Sequence, residues 1–350
     1  MFKLILLAII QLLIVASISL AEASAPKQEE SPWILAPKIT SDPKLGTSLG
    51  VTGGYLYQFD ADSTQSMFLV TGSYSKTESW VTGFFGQMFF DENQQKLLIG
   101  LAGGKIRNDY QDFLGSGLPA QTTDTLKTSF LRYSHSVAEN WYLGVQMVKS
   151  NYAIGADDFT QDWLDLIGLT GFSSTGIGLI GEYDSRDNIR NPTSGINYVI
   201  HTVAYREGLG GDENFDVYSM KYSQYVNHGS KNVFAWQIKG RWTDDAPIGG
   251  YSSIQLRGYV RGNYLAPHYT HIELEDRISF NSKWGMSYFG GIACLYKKFN
   301  DCNDSKNLYS SVGAGAIYTL KKESGIVLRA EVAIGESNEH VWYLRMGHPL

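Results

Sequence analysis

After Ala21 the chain has no apolar run approaching the ~18 residues that a membrane helix needs. Basic residues are in short supply as well: the formal net charge is −6, so no cationic face is available to neutralise nucleic-acid phosphates. No nucleic-acid partner is expected. Cysteine is reduced to Cys294 and Cys302. None follows the N-terminal apolar segment closely, so a lipoprotein anchor is not expected. In an oxidising compartment the two could close a local disulfide across one loop, or remain two thiols without a role. The seven histidines show no Ser-His-acid or Asp-His spacing. Neither catalysis nor a metal or other cofactor is expected.

What is present begins with "MFKLILLAIIQLLIVASISLA", one lysine, an apolar run from Leu4 to Val15 broken by Gln11, and small residues at Ser19 and Ala21. That is the layout of a secretory signal peptide over 1–21, with an uncleaved start-transfer helix as the alternative. Residues 22–32 are a polar leader. The rest, 33–350, carries all 37 glycines and all 22 tyrosines, and the whole chain has 13% aromatics. An exported chain of this kind is either soluble and all-β, or crosses a membrane as a closed barrel whose backbone groups all pair between strands.

Alternation favours the barrel. In "NVFAWQIKGRWT", Phe234, Trp236, Ile238 and Trp242 share one face, and Gln237, Lys239 and Arg241 the other. The same period places Trp141, Leu143, Val145 and Met147 together. It also puts Ile326, Leu328, Ala330, Val332 and Ile334 outward, with Arg329 and Glu331 inward. Near the C-terminus Trp342, Leu344, Met346 and Leu350 oppose Arg345. Turn signals divide the chain into about 16 strands, an even number as closed bacterial barrels require. The first, 33–40, is the shortest and has prolines nearby. If it runs outward, every second connection is short, whereas 107–123, 153–172, 244–268 and 298–308 are long and lie outside. Residues 158–168 could form an amphipathic helix or extend a strand.

Two stretches exceed what a generic barrel needs. "YDSRDNIRNPTSG" ends one strand with Asp184, Arg186 and Asp187, then turns through Asn191, Pro192 and Gly195. This charge could be a solvated rim. "SSIQLRGYVRGNYLAPHY" puts Arg257, Arg261 and His268 among glycines and tyrosines on the longest outer loop. Such a loop could be a solvated tip. It could instead fold inward, where an arginine requires a carboxylate because an unpaired buried guanidinium is too costly. Glu273 and Glu275 face inward on the next strand if Ile272, Leu274 and Ile278 face lipid. Asp276 is then an exception on the lipid side.

The pair of motifs, "YDSRDNIRNPTSG" and "GGYSSIQLRGYVRGNY", followed by "IELEDRISF", resembles the bacterial surface-antigen barrel of the BamA/TamA outer-membrane assembly-factor superfamily. The resemblance spans 33–350. It implies an all-β transmembrane antiparallel barrel in the outer membrane of a Gram-negative bacterium. The loop after strand 11 would fold into the lumen, with Arg257-Gly258-Tyr259 clamped by Glu275. The acid of the family's strand 13 F-x-D-x-G motif is missing, with Gly290 of "YFGGIA" read at that position, and Glu273 or Glu331 could compensate. No POTRA domain and no G-x-S-x-G element precede the barrel, so the barrel-only branch is expected. Expected partners are outer-membrane lipids, the host barrel-assembly machinery that inserts the chain, and a periplasmic or surface protein. The functional expectation is assistance to insertion or translocation of proteins or lipids through a labile seam. The alternative is a narrow passive pore or a structural surface antigen.

Overall fold

Sixteen antiparallel strands close into one barrel. The computed structural model describes residues 30–42, 46–110, 120–152, 170–229, 231–259, 262, 264–335 and 340–348. The signal peptide, most of the leader, the 158–168 segment, Arg261 and Leu350 lie outside them. The strands are β1 (Trp33–Asp42), β2 (Gly46–Tyr57), β3 (Ser66–Ser75), β4 (Trp80–Phe90), β5 (Gln95–Tyr110) and β6 (Ala120–Ala138). They continue as β7 (Trp141–Tyr152), β8 (Thr170–Asp184), β9 (Gly195–Tyr205), β10 (Phe215–His228) and β11 (Asn232–Asp244). The last five are β12 (His268–Ser279), β13 (Trp284–Tyr296), β14 (Leu308–Lys321), β15 (Ile326–Ile334) and β16 (His340–Met346).

All sixteen expected strands are present, because a period of two survives along each of them. β5 and β6 run further than expected and stay paired to Tyr110↔Ala120, so much of the expected 107–123 loop is strand. The short turns gather at one end of the barrel and the longer connections at the other.

The apolar faces point out. Leu35 is 73% and Leu179 67% exposed, and Val70, Leu143, Val145 and Val312 stand out similarly. A soluble sandwich would bury these residues; a barrel turns them toward lipid. The lipid-side Asp276 sits near the short-turn end, where His228 Nε2 lies 2.7 Å from its carboxylate. This pairing at a rim removes the anomaly. Two residues expected on the lipid face are instead covered: Ile326 and Met346 are buried in one apolar cluster with Ile34 and Leu56. Met346 lies beside the closure, past the seam pairs, and a register shift between Thr319 and Lys321 sets Ile326 opposite the buried Lys321.

The interior is divided. Met67, Leu69, Phe85, Phe130, Val148 and Val203 form a buried apolar wall from inward positions of β3 to β9. The inner wall of β11 to β16 is charged, with Arg241, Glu273, Glu275, Arg277, Arg329 and Glu331 all buried.

A disulfide joins Cys294, near the end of β13, to Cys302 in the 3-10 turn Phe299–Asn303. It closes a short loop, so its removal acts mainly on the unfolded chain. Cys294→Ser is expected to cost about 2–3 kcal/mol, read as a lower urea midpoint for refolding in detergent with the barrel still formed.

Candidate functional site

The connection between β11 and β12 builds the site. It makes a 3-10 turn at Ile248–Gly250, then pairs Ser252–Ser253 with Leu265–Ala266 as a short ribbon. Arg241, on the inner face of β11, anchors its root by donating to the Gly250 carbonyl at 3.1 Å and the Ser252 hydroxyl at 3.0 Å. Beyond the ribbon, Ile254, Leu256 and Tyr259 are buried with Tyr269, Ala293 and Leu295, which are inward positions of β12 and β13. The Tyr259 hydroxyl donates to the Ser310 carbonyl at 2.7 Å. Gly258 has φ +96°, and a Cβ there would stand 3.1 Å from the Gly335 nitrogen. Backbone conformation and close approach to the end of β15 both call for glycine.

This packing delivers Arg257 to three carboxylates. Its Nε is 2.6 Å from Glu273 Oε1, and one terminal nitrogen is 2.6 Å from Glu275 and 3.0 Å from Glu331. The guanidinium also lies 3.4 Å from the centroid of Phe289, a cation–π contact strengthened by desolvation. Arg277 and Arg329 reach Glu275 at 2.6 and 2.9 Å, and Arg345 reaches Glu331 at 2.9 Å. Arg329 also contacts Ser287 and the His348 ring. Four arginines thus surround three glutamates. Glu275 is 1% exposed and Arg329 fully buried, so each charge depends on its partners.

The structure revises the missing acid. Gly290, expected to occupy its position, is paired with Val312 and Leu274 on the outer face, so an acid there would point to lipid. The inward position is Gly291, where a Cβ would meet Leu256 Cδ2 at 2.9 Å. The loop's own leucine fills the space, and Glu273 and Glu331 both contact Arg257. Phe289 and His348 were not signalled by the sequence, since neither an aromatic on a barrel strand nor a histidine near a terminus stands out from its background.

The turn between β8 and β9 is a second charged element, at the short-turn end. The guanidinium of Arg186 grips Asp184 through two contacts of 2.7 and 2.6 Å. Lys96 lies 3.2 Å from Glu182 and 3.8 Å from Asp184. Gly195, at φ +101°, lets the chain re-enter β9. Asp187 accepts from the backbone N–H groups of Thr193 and Ser194 at 2.9 and 3.1 Å. Partial burial raises its pKa, but the donors from Thr193, Ser194 and Asn188 outweigh that and hold it below the usual carboxylate range. Their support is therefore present at neutral pH and lost as the pH falls through that lowered value. Asn191 donates its backbone N–H to the Asn188 side chain at 2.9 Å, and the Pro192 carbonyl accepts from Arg277 at 3.1 Å.

Arg190, in the same turn, was not singled out by the sequence. Its guanidinium reaches the carbonyls of Gln65, beside the β2–β3 turn, and Ser324, in the β14–β15 turn. Burial pulls its pKa down to about 10, so it remains a cation at neutral pH. A basic residue among turn formers reads as solvated; only the tertiary partners reveal a tie across the barrel mouth. Beside it lies a cavity of about 300 Å³, bordered by Gln58, Thr64, Asn188 and Glu323.

A third feature is the closure. β1 pairs with β16 at Ile39↔Leu344, Thr40↔Tyr343 and Ser41↔Trp342, three residue pairs. β1 and β2 share ten, and β15 and β16 seven. Pro37 withholds a backbone donor in β1, as suits an edge. At Gly347, φ +94°, the chain departs from the strand path, and the side chain of His348 comes within 4.0 Å of Glu275.

No family model matches the chain, and no curated protein sequence does. Solved structures do. A BamA from Haemophilus ducreyi lacking POTRA domains 1–3 superposes with a TM-score of 0.52 at 14% identity, over 91% of this chain and 71% of that one. CdiB from Escherichia coli gives 0.59 at 12% identity, over 93% and 63%. CdiB from Acinetobacter baumannii gives 0.57 at 11%, over 89% and 59%. This chain therefore has the fold of the BamA and CdiB outer-membrane barrels, and spans about six-tenths of the CdiB chains.

Arg257→Ala strips Glu273 of its counter-ion inside the barrel and frees the loop tip. The expected loss is about 3–5 kcal/mol of stability, together with planar-bilayer conductance well above that of the parent. Removing Glu273 as well is expected to recover part of the stability but not the seal. Near-zero conductance in both proteins would show that the loop does not close the lumen.

Proposed function

We propose that this chain is an integral outer-membrane barrel that helps proteins or lipids insert into, or cross, that membrane by parting its β1–β16 seam. The observation that carries this reading is the disparity between three residue pairs at the closure and ten at the neighbouring β1–β2 ladder. Each backbone hydrogen bond contributes about 1 kcal/mol net in water and more against lipid, where no water replaces it. A three-pair seam therefore opens at a fraction of the cost of any full ladder. The edge of β1 that it exposes could pair with an incoming strand, the mode of recognition known as strand addition.

In this reading Arg257, Gly258 and Tyr259 hold the loop against the inner wall through Glu273, Glu275 and Glu331, keeping the lumen sealed while the seam works. The turn containing Asp184, Arg186, Asp187, Asn191, Pro192 and Gly195 supports the opposite mouth. Strand insertion and lipid passage need no bond-breaking step, and we assign no catalytic residue. A periplasmic protein partner would bring substrates to the barrel. The β11–β12 loop packed against the inner wall speaks against the alternative of a passive pore.

The test is to lock the closure. Ile39 and Leu344 face each other across the seam, so Ile39→Cys with Leu344→Cys can be joined by oxidation. Cells relying on the locked form are expected to show altered outer-membrane protein or lipid content, reversed by a reductant that leaves wild-type cells unaffected. Normal membrane composition with the lock closed would refute seam opening and leave a structural barrel.

A further inference from the structure

The outer wall carries a cationic row that the seam reading does not use. On β5 the outward residues run Leu97, Ile99, Leu101 and Gly103, then Lys105. On β7 they run Leu143, Val145 and Met147, then Lys149. On β6, Leu131 and Ser129 are followed by Lys127. All three lysines are exposed. Lys105 pairs with Thr125, Lys127 with Gly103, and Lys149 with Ser129. Each lysine is thus the diagonal cross-strand neighbour of the next, at roughly 7 Å.

The row lies where the apolar wall ends, on the side of the long connections. Other strands carry aromatics near that end: Tyr74 and Trp80 on the neighbouring β3 and β4, and Trp242 further round on β11. Barrels ordinarily set aromatic girdles at this level; here three adjacent strands set lysines instead. Among the described residues none of the three has a carboxylate within ion-pair distance, although the chain as a whole is acidic.

Just below Lys127 and Lys149 is a recess of about 650 Å³ with Val70, Phe84, Leu101 and Gly103 in its wall and Ser129 and Asn151 at its edge; Lys105 stands next to it, diagonal to Lys127. The recess exists because small residues face outward there. A Cβ on Gly103 would meet only the Leu126 carbonyl, at 3.7 Å. A trough walled by Val70, Phe84 and Leu101 and edged by cations that lack a carboxylate partner among the described residues matches a molecule with a hydrocarbon chain and an anionic head.

The geometry points to a binding site for a phosphorylated lipid of the outer leaflet, its phosphate held by Lys105, Lys127 and Lys149 and its acyl chain in the recess at Gly103. Depth decides between lipid and a soluble anion, because the recess opens onto the lipid-facing wall below the lysines. This inference rests on the membrane placement, not on seam opening.

The test uses the full chain in neutral detergent, titrated separately with short-chain phosphatidic acid, short-chain phosphatidylcholine and inorganic phosphate. Phosphatidic acid is expected to saturate, and its affinity to fall with salt. The triple variant Lys105→Gln, Lys127→Gln, Lys149→Gln is expected to bind on the order of a hundredfold more weakly, from roughly fivefold per lysine. Gly103→Leu fills the trough, leaves the lysines in place and is expected to weaken phosphatidic acid several-fold. Resistance of the folded barrel to unfolding in cold detergent monitors folding of each variant.

Equal binding by wild type and triple variant would overturn the site. So would phosphate binding as tightly as phosphatidic acid, or indifference to Gly103→Leu, because either removes the acyl chain from recognition. A wild-type barrel that does not partition into vesicles would overturn the membrane placement itself, a result separable from lipid affinity.

Discussion

Closing sixteen strands makes a cylinder too wide for its own wall side chains to fill, and this chain answers with an arginine brought in on a loop. Arg257 is held by Glu273, Glu275 and Glu331. None of those carboxylates could stay ionised in the interior without it and its neighbours Arg277, Arg329 and Arg345. Replacement by apolar residues of equal volume could be as stable. What charge adds is a unique position: leucines can slide along an apolar wall, whereas a guanidinium with three oxygens at hydrogen-bond distance has one seat. The glycine that follows lets the backbone reach β15, and the tyrosine after it finds the Ser310 carbonyl.

The network also ties together parts of the chain that are far apart in sequence. Arg345 lies on β16, one flank of the seam, and reaches Glu331. His348, just past the Gly347 bend, stands beside Arg329 and Glu275. Arg277 links Glu275 to Pro192 of the β8–β9 turn. Loop tip, seam strand and opposite mouth are therefore neighbours through two glutamates. A displacement of β16 large enough to part the seam must carry Arg345 along, and Glu331 then loses a counter-ion unless Arg257 and Arg329 compensate. Such coupling is carried by discrete charge contacts rather than by strand continuity.

Much of this architecture was legible because lipid outside and a polar or packed lumen inside impose strict alternation. Phe234 to Trp242 shows it, with Gln237, Lys239 and Arg241 inward and buried as expected. Alternation fails where the wall is not a simple cylinder. Ile326 and Met346 read as lipid-facing by alternation but are covered, and no periodicity reports the register shift at Thr319/Lys321 opposite Ile326 or the turn of the chain at Gly347. Gly290 and Gly291 differ by one residue and hence by one face, so a motif aligned one position off points an absent acid at lipid. Strand ends were misjudged for a related reason: β5 and β6 stay paired with each other out to Tyr110↔Ala120, and their polar composition there reads as loop.

The site was legible to the extent that charge pairs can be guessed from inward register. Glu273, Glu275 and Glu331 share that face with Arg329, and a loop arginine needs such partners if it enters. Arg190 shows the limit. Among the described residues it has no carboxylate partner, so charge complementarity offers no clue, and its acceptors are backbone carbonyls, which every residue possesses. The physical reason for its burial is positional: the turn reaches across the mouth, and a long side chain with five donors can satisfy carbonyls on two distant turns at once. The result is a mouth braced from β8–β9 to turns on both sides of the seam. The seam is thus short in its ladder, yet its flanks are tied through Arg190 at one end and through the Arg257 cluster within, so opening requires these ties to yield as well.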